Sequence, residues 1–435
     1  MKINTVCVIG LGYVGLTLAA ILAKSGFEVF GVEKDERKLS LLKKGRPHFH
    51  ENGLAELIKR TEGKRLHLLR DIPSNKRIDC FIIAVSTPVD EITKEPKIDY
   101  IIAATREIAP YVTSGQLVVL RSTIPVGATR NIVLPILKKR SKNFFLSFCP
   151  ERTAEGRALE ELKTLPQVVG GLDQASTDAS VELFSKISPL IVAVNSLEAA
   201  EIVKLVNNSY RDLVFAYANQ VALICKSLGM NAKEVIDAAN LGYPRSDVKS
   251  PGVVGGFCLE KDPHILMKSA KCDVSLIKAA KELNESVVGH ILQAVQRHLK
   301  TWGKTSRTSK VFICGFAFKG EPETDDIRSS QTIKLLKLLK DNGFSNVYGH
   351  DSIVTKKILK GLGVRPVSIE AGFKGADVVI FMNNHRSYSG LKMEPLSKKM
   401  RKGGLIFDGW HMFYNQLGDC NYVTYESLGF SNEKR

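Results

Sequence analysis

Residues 5–33 contain the pattern that most restricts the fold of this chain. The run TVCVI at residues 5–9 is short, apolar and rich in β-branched side chains, which is typical of a buried parallel strand. A G-x-G-x-x-G turn follows, then an apolar segment with helical spacing, and then a second strand-like run that ends on Glu33. This order of strand, glycine-rich turn, helix, strand and acid predicts a dinucleotide-binding α/β unit.

Each glycine of the turn has its own task in such a unit. Gly10 permits the tight turn, Gly12 leaves room for a pyrophosphate, and Gly15 lets the helix approach the strand closely. Glu33 can accept hydrogen bonds from a ribose diol, and it would repel a 2′-phosphate. The pattern therefore predicts NAD as the cofactor, in preference to NADP. A glycine-rich turn that binds no ligand is the alternative interpretation.

Further strand-like runs at residues 79–85, 116–120 and 143–148 each lead into polar residues. Ligands of a parallel sheet bind at the carboxyl ends of its strands, so these residues are candidates for contacts with cofactor and substrate. The candidates at the three strand ends are Thr87, Thr123 and Glu151. For a single threonine, a role as a helix cap or turn residue is an equally good interpretation.

The α/β pattern returns after a long helical region. We predict two Rossmann-like doubly wound parallel-sheet domains, at residues 1–196 and 301–435, joined by a central helical region at residues 197–300 that also builds a dimer interface. The second domain lacks the full glycine fingerprint, so it should bind something other than a dinucleotide. Lys319 and Arg328 are natural phosphate ligands in its first loop.

A cysteine in the central region is a candidate nucleophile. Cys258 follows a Gly-Gly pair near the expected start of a helix, where loop N–H groups and the helix dipole favour a thiolate. Asp262 lies one helical turn later, and Lys204 and Asn208 share one face of the preceding helix. A lone cysteine is more often a small buried hydrophobe, so the residues alone leave its role open.

Composition excludes several classes of protein. With 44% hydrophobic and 25% charged residues, the chain is typical of soluble globular proteins. The net charge of +17 suits an anionic partner or a basic surface, but no nucleic-acid-binding motif is present and we expect no nucleic acid partner. Eight cysteines without zinc spacing predict no metal site and a cytoplasmic location. The uncharged stretch at residues 3–23 is broken by glycines, so we expect no membrane contact.

Together, these motifs resemble the UDP-glucose/GDP-mannose dehydrogenase family, the nucleotide-sugar 6-dehydrogenases. The resemblance covers nearly the whole chain and consists of Gly10-Leu-Gly-Tyr-Val-Gly15, Ser122-Thr-Ile-Pro-Val-Gly127, Pro150-Glu151, Lys204-x-x-x-Asn208, Gly255-Gly-x-Cys258-x-x-x-Asp262, and Phe318-Lys319 followed by Asp326-x-Arg328. It implies a homodimer that uses two NAD⁺ to oxidise the C6 alcohol of a UDP-sugar to a carboxylate, for the synthesis of surface polysaccharide precursors.

The resemblance also implies a role for each site residue. The catalytic set is Cys258 as nucleophile through a thiohemiacetal and a thioester, Lys204 and Asn208 for the oxyanion, Asp262 with Lys204 for protons, and Glu151 with Thr123 for thioester hydrolysis. The NAD set is Gly10, Gly12, Tyr13, Val14, Gly15, Glu33, Lys38, Thr87, Thr123 and Arg328. The substrate set is Glu151, Arg152, Lys204, Asn208, Arg245, Gly255 and Lys319.

Local features indicate the sugar. Cys149-Pro-Glu-Arg152 and Pro244-Arg245 resemble members that act on UDP-N-acetylhexosamines, with ManNAc or GlcNAc as the expected sugar. Phe257 replaces the usual His of that subgroup, and Leu259-Glu-Lys-Asp262 is closer to the UDP-glucose enzymes. UDP-glucose is therefore the alternative substrate. A one-step hydroxy-acid dehydrogenase and a basic nucleic-acid-binding protein are more remote alternatives.

Overall fold

Short runs of β-branched and aromatic residues form two separate sheets in the computed structural model, which describes residues 2–432. The chain divides into two units. One comprises the residues up to Asn208 together with Lys261–Asp273, and the other comprises Ser209–Glu260 together with the residues from Val274 onward. Each unit contains one of the sheets. The predicted fold class, α/β with two Rossmann-like sheets and a central helical region, is confirmed.

The sheet of the first unit has eight strands. They are β1 (Thr5–Ile9), β2 (Glu28–Val32), β3 (Leu66–Leu69), β4 (Cys80–Ile83), β5 (Leu117–Leu120), β6 (Phe145–Phe148), β7 (Gln167–Gly171) and β8 (Ile191–Val194). Their order across the sheet is β3-β2-β1-β4-β5-β6-β7-β8, and β6 and β7 pair antiparallel while the other neighbours are parallel. All residues of β4 and β5 are buried, because helices cover both faces of the sheet.

The helices of the first unit alternate with these strands. They are α1 (Tyr13–Lys24), α2 (Glu36–Lys43), α3 (Leu54–Thr61), α4 (Asp99–Ile108), α5 (Leu134–Lys138), α6 (Ala158–Thr164) and α7 (Gln174–Phe184). A 3₁₀ turn at Ala109–Tyr111 extends α4, and a π-helical turn at Thr129–Val133 precedes α5. Apolar clusters fill both faces of the sheet.

Four helices form the central region of the chain. They are α8 (Leu197–Ser227), α9 (Ala232–Asn240), α10 (Phe257–Ser269) and α11 (Ser275–Thr301). The side chain of Asn231 accepts a hydrogen bond from the Lys233 N–H and caps α9. The predicted domain limits at residues 196/197 and 300/301 remain predictions, since the two units divide within α8 and α10.

The sheet of the second unit repeats the central strand order of the first. Its strands are β9 (Val311–Cys314), β10 (Val347–His350), β11 (Arg365–Pro366), β12 (Val378–Phe381), β13 (Leu405–Asp408), β14 (Thr424–Ser427) and β15 (Phe430–Ser431), in the order β11-β10-β9-β12-β13-β14-β15. Its helices are α12 (Gln331–Asp341), α13 (Lys356–Gly361), α14 (Ile369–Phe373), α15 (Arg386–Ser389), α16 (Met393–Ser397) and α17 (Tyr414–Leu417).

Membrane-spanning helices and metal sites can be described for residues 2–432. No helix in this range combines the length and the apolar character that a membrane span requires. The same residues contain no group of three or more His, Cys, Asp or Glu side chains arranged to hold a metal ion.

Candidate active site

The turn between β1 and α1 is crowded at two glycines and open at the third. Gly10 has a φ of +88°, a conformation that side chains rarely adopt. A Cβ on Gly15 would lie 1.8 Å from the Gly10 carbonyl oxygen, whereas a Cβ on Gly12 would meet no atom within 4 Å. α1 begins directly after Gly12, at Tyr13. Open backbone at a helix N-terminus is the geometry that a pyrophosphate requires.

The residues around this turn also fit a dinucleotide. Glu33 accepts hydrogen bonds from the Leu11 N–H (3.2 Å) and the Asp35 N–H (3.0 Å), so its carboxylate lies beside the turn at the end of β2. Lys38 follows in the first turn of α2. The Thr87 hydroxyl is buried at the carboxyl end of β4 and has no hydrogen-bond partner among the residues that the structure describes. A buried hydroxyl of this kind favours a ligand that supplies the missing bond.

Glu151 is held on both carboxylate oxygens. Its Oε2 accepts from Arg121 Nη2 (2.7 Å) and Nε (3.1 Å), and its Oε1 accepts from the Arg152 and Thr153 N–H groups (2.8 and 2.9 Å). Burial raises the pKa of Glu151, but Arg121, the Thr153 N–H and Lys204 outweigh it and hold the pKa below its usual range. Glu151 is therefore an oriented, charged acceptor.

Arg121 is a site residue that sequence reasoning missed. Its side chain is fully buried, and its guanidinium also contacts Gln167 Oε1 (3.0 Å) and Cys149 Sγ (3.0 Å). Burial raises the pKa of the Cys149 thiol to about 11, so this cysteine stays a thiol. The signal in the sequence was that Arg121 and Cys149 each directly follow a predicted strand. In the structure, the last residues of these two strands, Leu120 and Phe148, are partners on neighbouring strands.

Asn208 and Asp262, which lie far apart in the sequence, meet in the first unit. Asn208 Nδ2 donates to Asp262 Oδ2 at 2.6 Å, and Lys261 Nζ donates to Asp262 Oδ1 at 2.6 Å. Asp262 and Lys261 are both buried, so this is a buried ion pair with an amide on its second oxygen. Lys204 lies one turn before Asn208 on α8 and is also buried. Sequence reasoning missed Lys261.

Two further predicted site residues of the first unit, Arg152 and Thr123, lie next to backbone segments of the sheet. The Arg152 guanidinium donates to the Pro166 carbonyl, which ties it to the backbone before β7. Thr123 is buried just beyond β5, where the Ser122 hydroxyl bonds the Val85 carbonyl (2.7 Å). Their predicted roles in binding and hydrolysis remain predictions.

The loop that carries the candidate nucleophile packs within the second unit. Cys258 is the second residue of α10 and is half-buried, whereas Cys7, Cys80, Cys149, Cys225 and Cys314 are buried. The Gly256 N–H donates to the Ser329 carbonyl (3.1 Å), and a Cβ on Gly256 would lie 2.5 Å from the Phe318 ring. Gly255 lies against the same segment, since a Cβ there would be 3.1 Å from the Ser329 carbonyl oxygen.

The phosphate-ligand candidates of the second unit lie in the loop after β9. Lys319 Nζ lies 5.5 Å from the centroid of the Phe318 ring. Arg328 forms a bidentate pair with Asp326 and stacks on the Phe257 ring. Arg245, in contrast, is exposed; it stacks on Tyr243 at 4.8 Å and lines a groove of about 610 Å³ between α8 and α11.

The second unit has an acid at the position of Glu33, but its carboxylate is engaged. Asp351 directly follows β10, and its Oδ2 accepts from the Phe316 and Ala317 N–H groups (2.5 and 3.0 Å). Its Oδ1 accepts from the N–H groups of Ile353 and Val354 (both 2.8 Å). Four backbone bonds occupy the group that would hold a ribose, which agrees with the prediction that this unit binds no dinucleotide.

Comparison with known proteins assigns the three parts of the chain. Residues 4–188 match the NAD binding domain of the UDP-glucose/GDP-mannose dehydrogenase family, residues 198–286 its central domain and residues 312–415 its UDP binding domain. The chain belongs to this family. The predicted family, the oxidoreductase class and NAD as cofactor are thereby confirmed.

Individual relatives match over almost their full lengths. The chain is 30% identical to a UDP-N-acetyl-D-mannosamine dehydrogenase from Methanococcus maripaludis, over 98% of this chain and 97% of the relative. Its structure is similar to that of the UDP-D-ManNAc dehydrogenase from Pyrococcus horikoshii (TM-score 0.88, 28% identity, 98% and 99% coverage). A UDP-glucose dehydrogenase from Pyrobaculum islandicum also matches (TM-score 0.85, 26% identity, 99% and 98% coverage).

Proposed function

We propose that this family member oxidises the C6 hydroxyl of a UDP-N-acetylhexosamine, with ManNAc or GlcNAc as the sugar, to the uronic acid. The observation that carries the proposal is the construction of α10. This helix has a half-buried cysteine in its first turn and, one turn later, an aspartate whose two oxygens are bound by Asn208 and Lys261. The matched relatives that act on UDP-ManNAc support the choice of sugar.

We expect the oxidation of the sugar to proceed in four steps. In the first, C6 loses a hydride and its hydroxyl loses a proton, which gives an aldehyde. The Cys258 thiolate then adds to the aldehyde carbon, forming a C–S bond and an oxyanion. Loss of a second hydride from C6 converts this thiohemiacetal to a thioester. Water finally adds, the C–S bond breaks and the carboxylate leaves. NAD⁺ supplies the hydride acceptor for both oxidations.

The polar residues of the first unit have separate tasks in this scheme. The Lys204 ammonium and the Asn208 amide stabilise the oxyanion of the thiohemiacetal. Asp262, together with Lys204, transfers the hydroxyl proton through a bound water. Because Asp262 is fixed on both oxygens, it also holds the Asn208 amide in one orientation.

Glu151 and Thr123 act in thioester hydrolysis. The pair with Arg121 keeps Glu151 ionised, and a carboxylate whose pKa is low is a weak base. We therefore infer that Glu151 orients and polarises the attacking water as an acceptor, and that it takes up the proton only as the tetrahedral centre forms.

Substrate class and electron count test the proposal together. NAD⁺ is incubated with UDP-ManNAc, UDP-GlcNAc, UDP-GalNAc, UDP-glucose and GDP-mannose, and NADH is read by absorbance against the product formed. We expect the fastest turnover with a UDP-N-acetylhexosamine and two NADH per uronic acid. One NADH per product would indicate a one-step dehydrogenase and would overturn the mechanism.

Replacement of the nucleophile tests the covalent step. We expect Cys258→Ser to yield no more than one NADH per sugar, because a serine hydroxyl is a poor nucleophile and cannot form the thiohemiacetal that loses the second hydride. Cys272→Ser is the matched control, since this cysteine is exposed and lies outside α10. Full four-electron turnover by Cys258→Ser would show that Cys258 is not the nucleophile.

UDP-glucose is the second candidate substrate, and one observation favours it. Lys261, which resembles the lysine of the UDP-glucose enzymes, is buried and paired with Asp262. Faster turnover of UDP-glucose than of either N-acetylhexosamine in the same assay would establish this alternative.

We further propose that the chain forms a homodimer through α8. Tyr210, Tyr217 and Ile224 are exposed and lie seven residues apart, so they form an apolar stripe along one side of this helix. A second copy of the same helix would cover the stripe. Light scattering should give twice the mass of one chain, and Tyr217→Glu with Ile224→Glu should give one chain mass. Lys360→Glu, on an exposed position of α13, should leave the dimer intact.

For its place in the cell, we propose a cytoplasmic enzyme that makes uronic acid precursors of surface polysaccharide. Free cysteines throughout residues 2–432 support a reducing compartment. Deletion of the gene should remove the uronic acid from the cell-surface polysaccharide, and unchanged polysaccharide composition would contradict this role.

A further inference from the structure

Phe257, the residue before the candidate nucleophile Cys258, stacks on the side chain of Arg328. The guanidinium carbon of Arg328 lies 4.7 Å from the centroid of the Phe257 ring. Its Nε and Nη2 donate to the Asp326 carboxylate at 3.0 and 2.7 Å. One edge of the guanidinium is thus held by a carboxylate and one face by an aromatic ring, while 46% of the side chain remains exposed. An arginine fixed in this way is preorganised for an anionic ligand.

The segment that carries Phe257 cannot shift independently of the loop that carries Arg328. The Gly256 N–H bonds the Ser329 carbonyl, and Gly256 packs so closely on Phe318 that a Cβ there would lie 2.5 Å from the ring. The Phe318 N–H in turn bonds the Asp326 carbonyl (3.0 Å). Phe257 therefore offers Arg328 a fixed surface, and one that has the same charge at every pH.

We propose that Phe257 is a positioning residue that holds Arg328 for a nucleotide diphosphate and makes this binding independent of pH. The inference rests on the proposed function, which supplies the two diphosphates, NAD and the UDP-sugar. Histidine, the residue expected here by resemblance to the UDP-N-acetylhexosamine enzymes, would become an imidazolium at low pH and repel the guanidinium. The phenyl ring avoids this repulsion.

Several charged groups lie near this pair. They are Asp326 and Lys319 on the loop after β9, and Glu260 on α10, which is paired with Lys334 (2.8 Å) and Lys281 (3.5 Å). The Cys258 thiol directly follows Phe257 in the sequence, so the test uses binding in a Cys258→Ser background, which removes this thiol.

The test measures NADH affinity by fluorescence and UDP affinity by calorimetry, each at pH 6.0 and pH 8.5. Phe257→Trp, which keeps an aromatic face, should bind within about twofold of the parent at both pH values. Phe257→Leu should weaken one of the two ligands about tenfold at both pH values. Phe257→His should weaken the same ligand about tenfold at pH 6.0 and less than about threefold at pH 8.5. The affected ligand identifies the diphosphate that Arg328 holds.

A double-mutant cycle guards against a purely structural effect. Arg328→Lys should cause the same loss as Phe257→Leu, and the double variant should be no weaker than either single variant. Additive losses, or a pH-independent affinity of Phe257→His, would overturn the positioning role while leaving the proposed function intact. If the parent binds neither NADH nor UDP, the proposed function falls and this inference falls with it.

Discussion

At the scale of single residues, the carboxylate of Asp262 is held by its sequence neighbour Lys261 as well as by the distant Asn208. Lys261 and Asp262 are both buried, and their side chains meet at 2.6 Å. Removing one member of a buried pair leaves an uncompensated charge, which is far more costly than the loss of an exposed pair. Lys261 therefore matters for folding as well as for the orientation of Asp262.

We expect Lys261→Met to lower the free energy of unfolding by about 3 kcal/mol, because Asp262 then keeps a buried charge without its cation. Urea unfolding followed by circular dichroism measures this. Lys268→Met is the control, since Lys268 lies on the same helix in an exposed pair with Glu95 and should change stability by less than about 0.5 kcal/mol. Equal stability of the two variants would show that the buried pair contributes nothing.

Glu151 predicts a specific dependence of stability on pH. Its pKa is lower in the folded chain than the unfolded value of 4.5, chiefly because Arg121 outweighs the effect of burial. Such a group stabilises the fold fully above its unfolded pKa, and the contribution is lost as the pH falls through the lower folded pKa. The relevant window therefore lies below pH 4.5.

In that window, we expect Glu151→Gln to lose less stability with falling pH than the parent chain does. The difference in slope should approach about 1.4 kcal/mol per pH unit, the value for one proton. Urea midpoints between pH 6 and pH 3 measure it. Glu160→Gln removes an exposed carboxylate paired loosely with Arg157 and should leave the slope unchanged. Parallel curves for Glu151→Gln and the parent would contradict the assigned pKa direction.

Sequence reasoning found the site residues that carry recognisable chemistry, and it missed those that act by pairing. Asn208 and Asp262 were predicted as site residues, but their 2.6 Å contact joins residues 54 positions apart. Arg121 follows a strand as any basic residue can, and only the pairing of β5 with β6 brings it to Glu151. Lys261 was noted only as part of the segment Leu259-Glu-Lys-Asp262, because the burial of a lysine and its pairing with Asp262 depend on packing.

At the scale of elements, the clearest predictions came from fully buried parallel strands. β1 has the predicted bounds, because a short β-branched run and the glycine turn after it define its ends, and β2 ends directly before Glu33 as predicted. β7 was missed because its sequence, QVVGG, has two glycines. Gly170 is required there, since a Cβ would lie 2.1 Å from the Ser196 carbonyl oxygen. The predicted central helical region contains separate helices, and Gly229, with a φ of +72°, lies between α8 and α9.

The turn between β1 and α1 separates two effects of adding a methyl group. We expect Gly12→Ala to keep the unfolding temperature of the parent, since its Cβ meets no protein atom, but to weaken NADH binding about tenfold or more. Gly15→Ala should lower stability by about 1–3 kcal/mol through its clash with the Gly10 carbonyl. Thermal unfolding and NADH fluorescence distinguish the two. Unaltered NADH binding by Gly12→Ala would exclude a pyrophosphate at this position.

At the scale of the whole molecule, two sheets with the same central strand order have different ligand chemistry. The order is β3-β2-β1-β4-β5 in one and β11-β10-β9-β12-β13 in the other. The Glu33 carboxylate accepts two hydrogen bonds from backbone N–H groups, whereas the Asp351 carboxylate accepts four. The repeated pattern was visible in the sequence, but the inward orientation of Asp351 was not.

We therefore expect one NADH site per chain. Calorimetric titration should give a stoichiometry near one NADH per chain. Glu33→Ala should weaken NADH binding, because the ribose loses its hydrogen-bond acceptor. Asp351→Ala should retain NADH binding and lower the unfolding temperature, since four backbone N–H groups lose their partner. A stoichiometry near two, or loss of NADH binding in Asp351→Ala, would contradict this difference between the sheets.

The four bonds to Asp351 also limit what protein engineering can achieve with the second sheet. Grafting a G-x-G-x-x-G loop after β9 would not create another coenzyme pocket. The aspartate would still be committed to the chain itself, and redirecting it outward would leave Phe316, Ala317, Ile353 and Val354 in need of a substitute acceptor. A successful redesign would have to rebuild both loops at once.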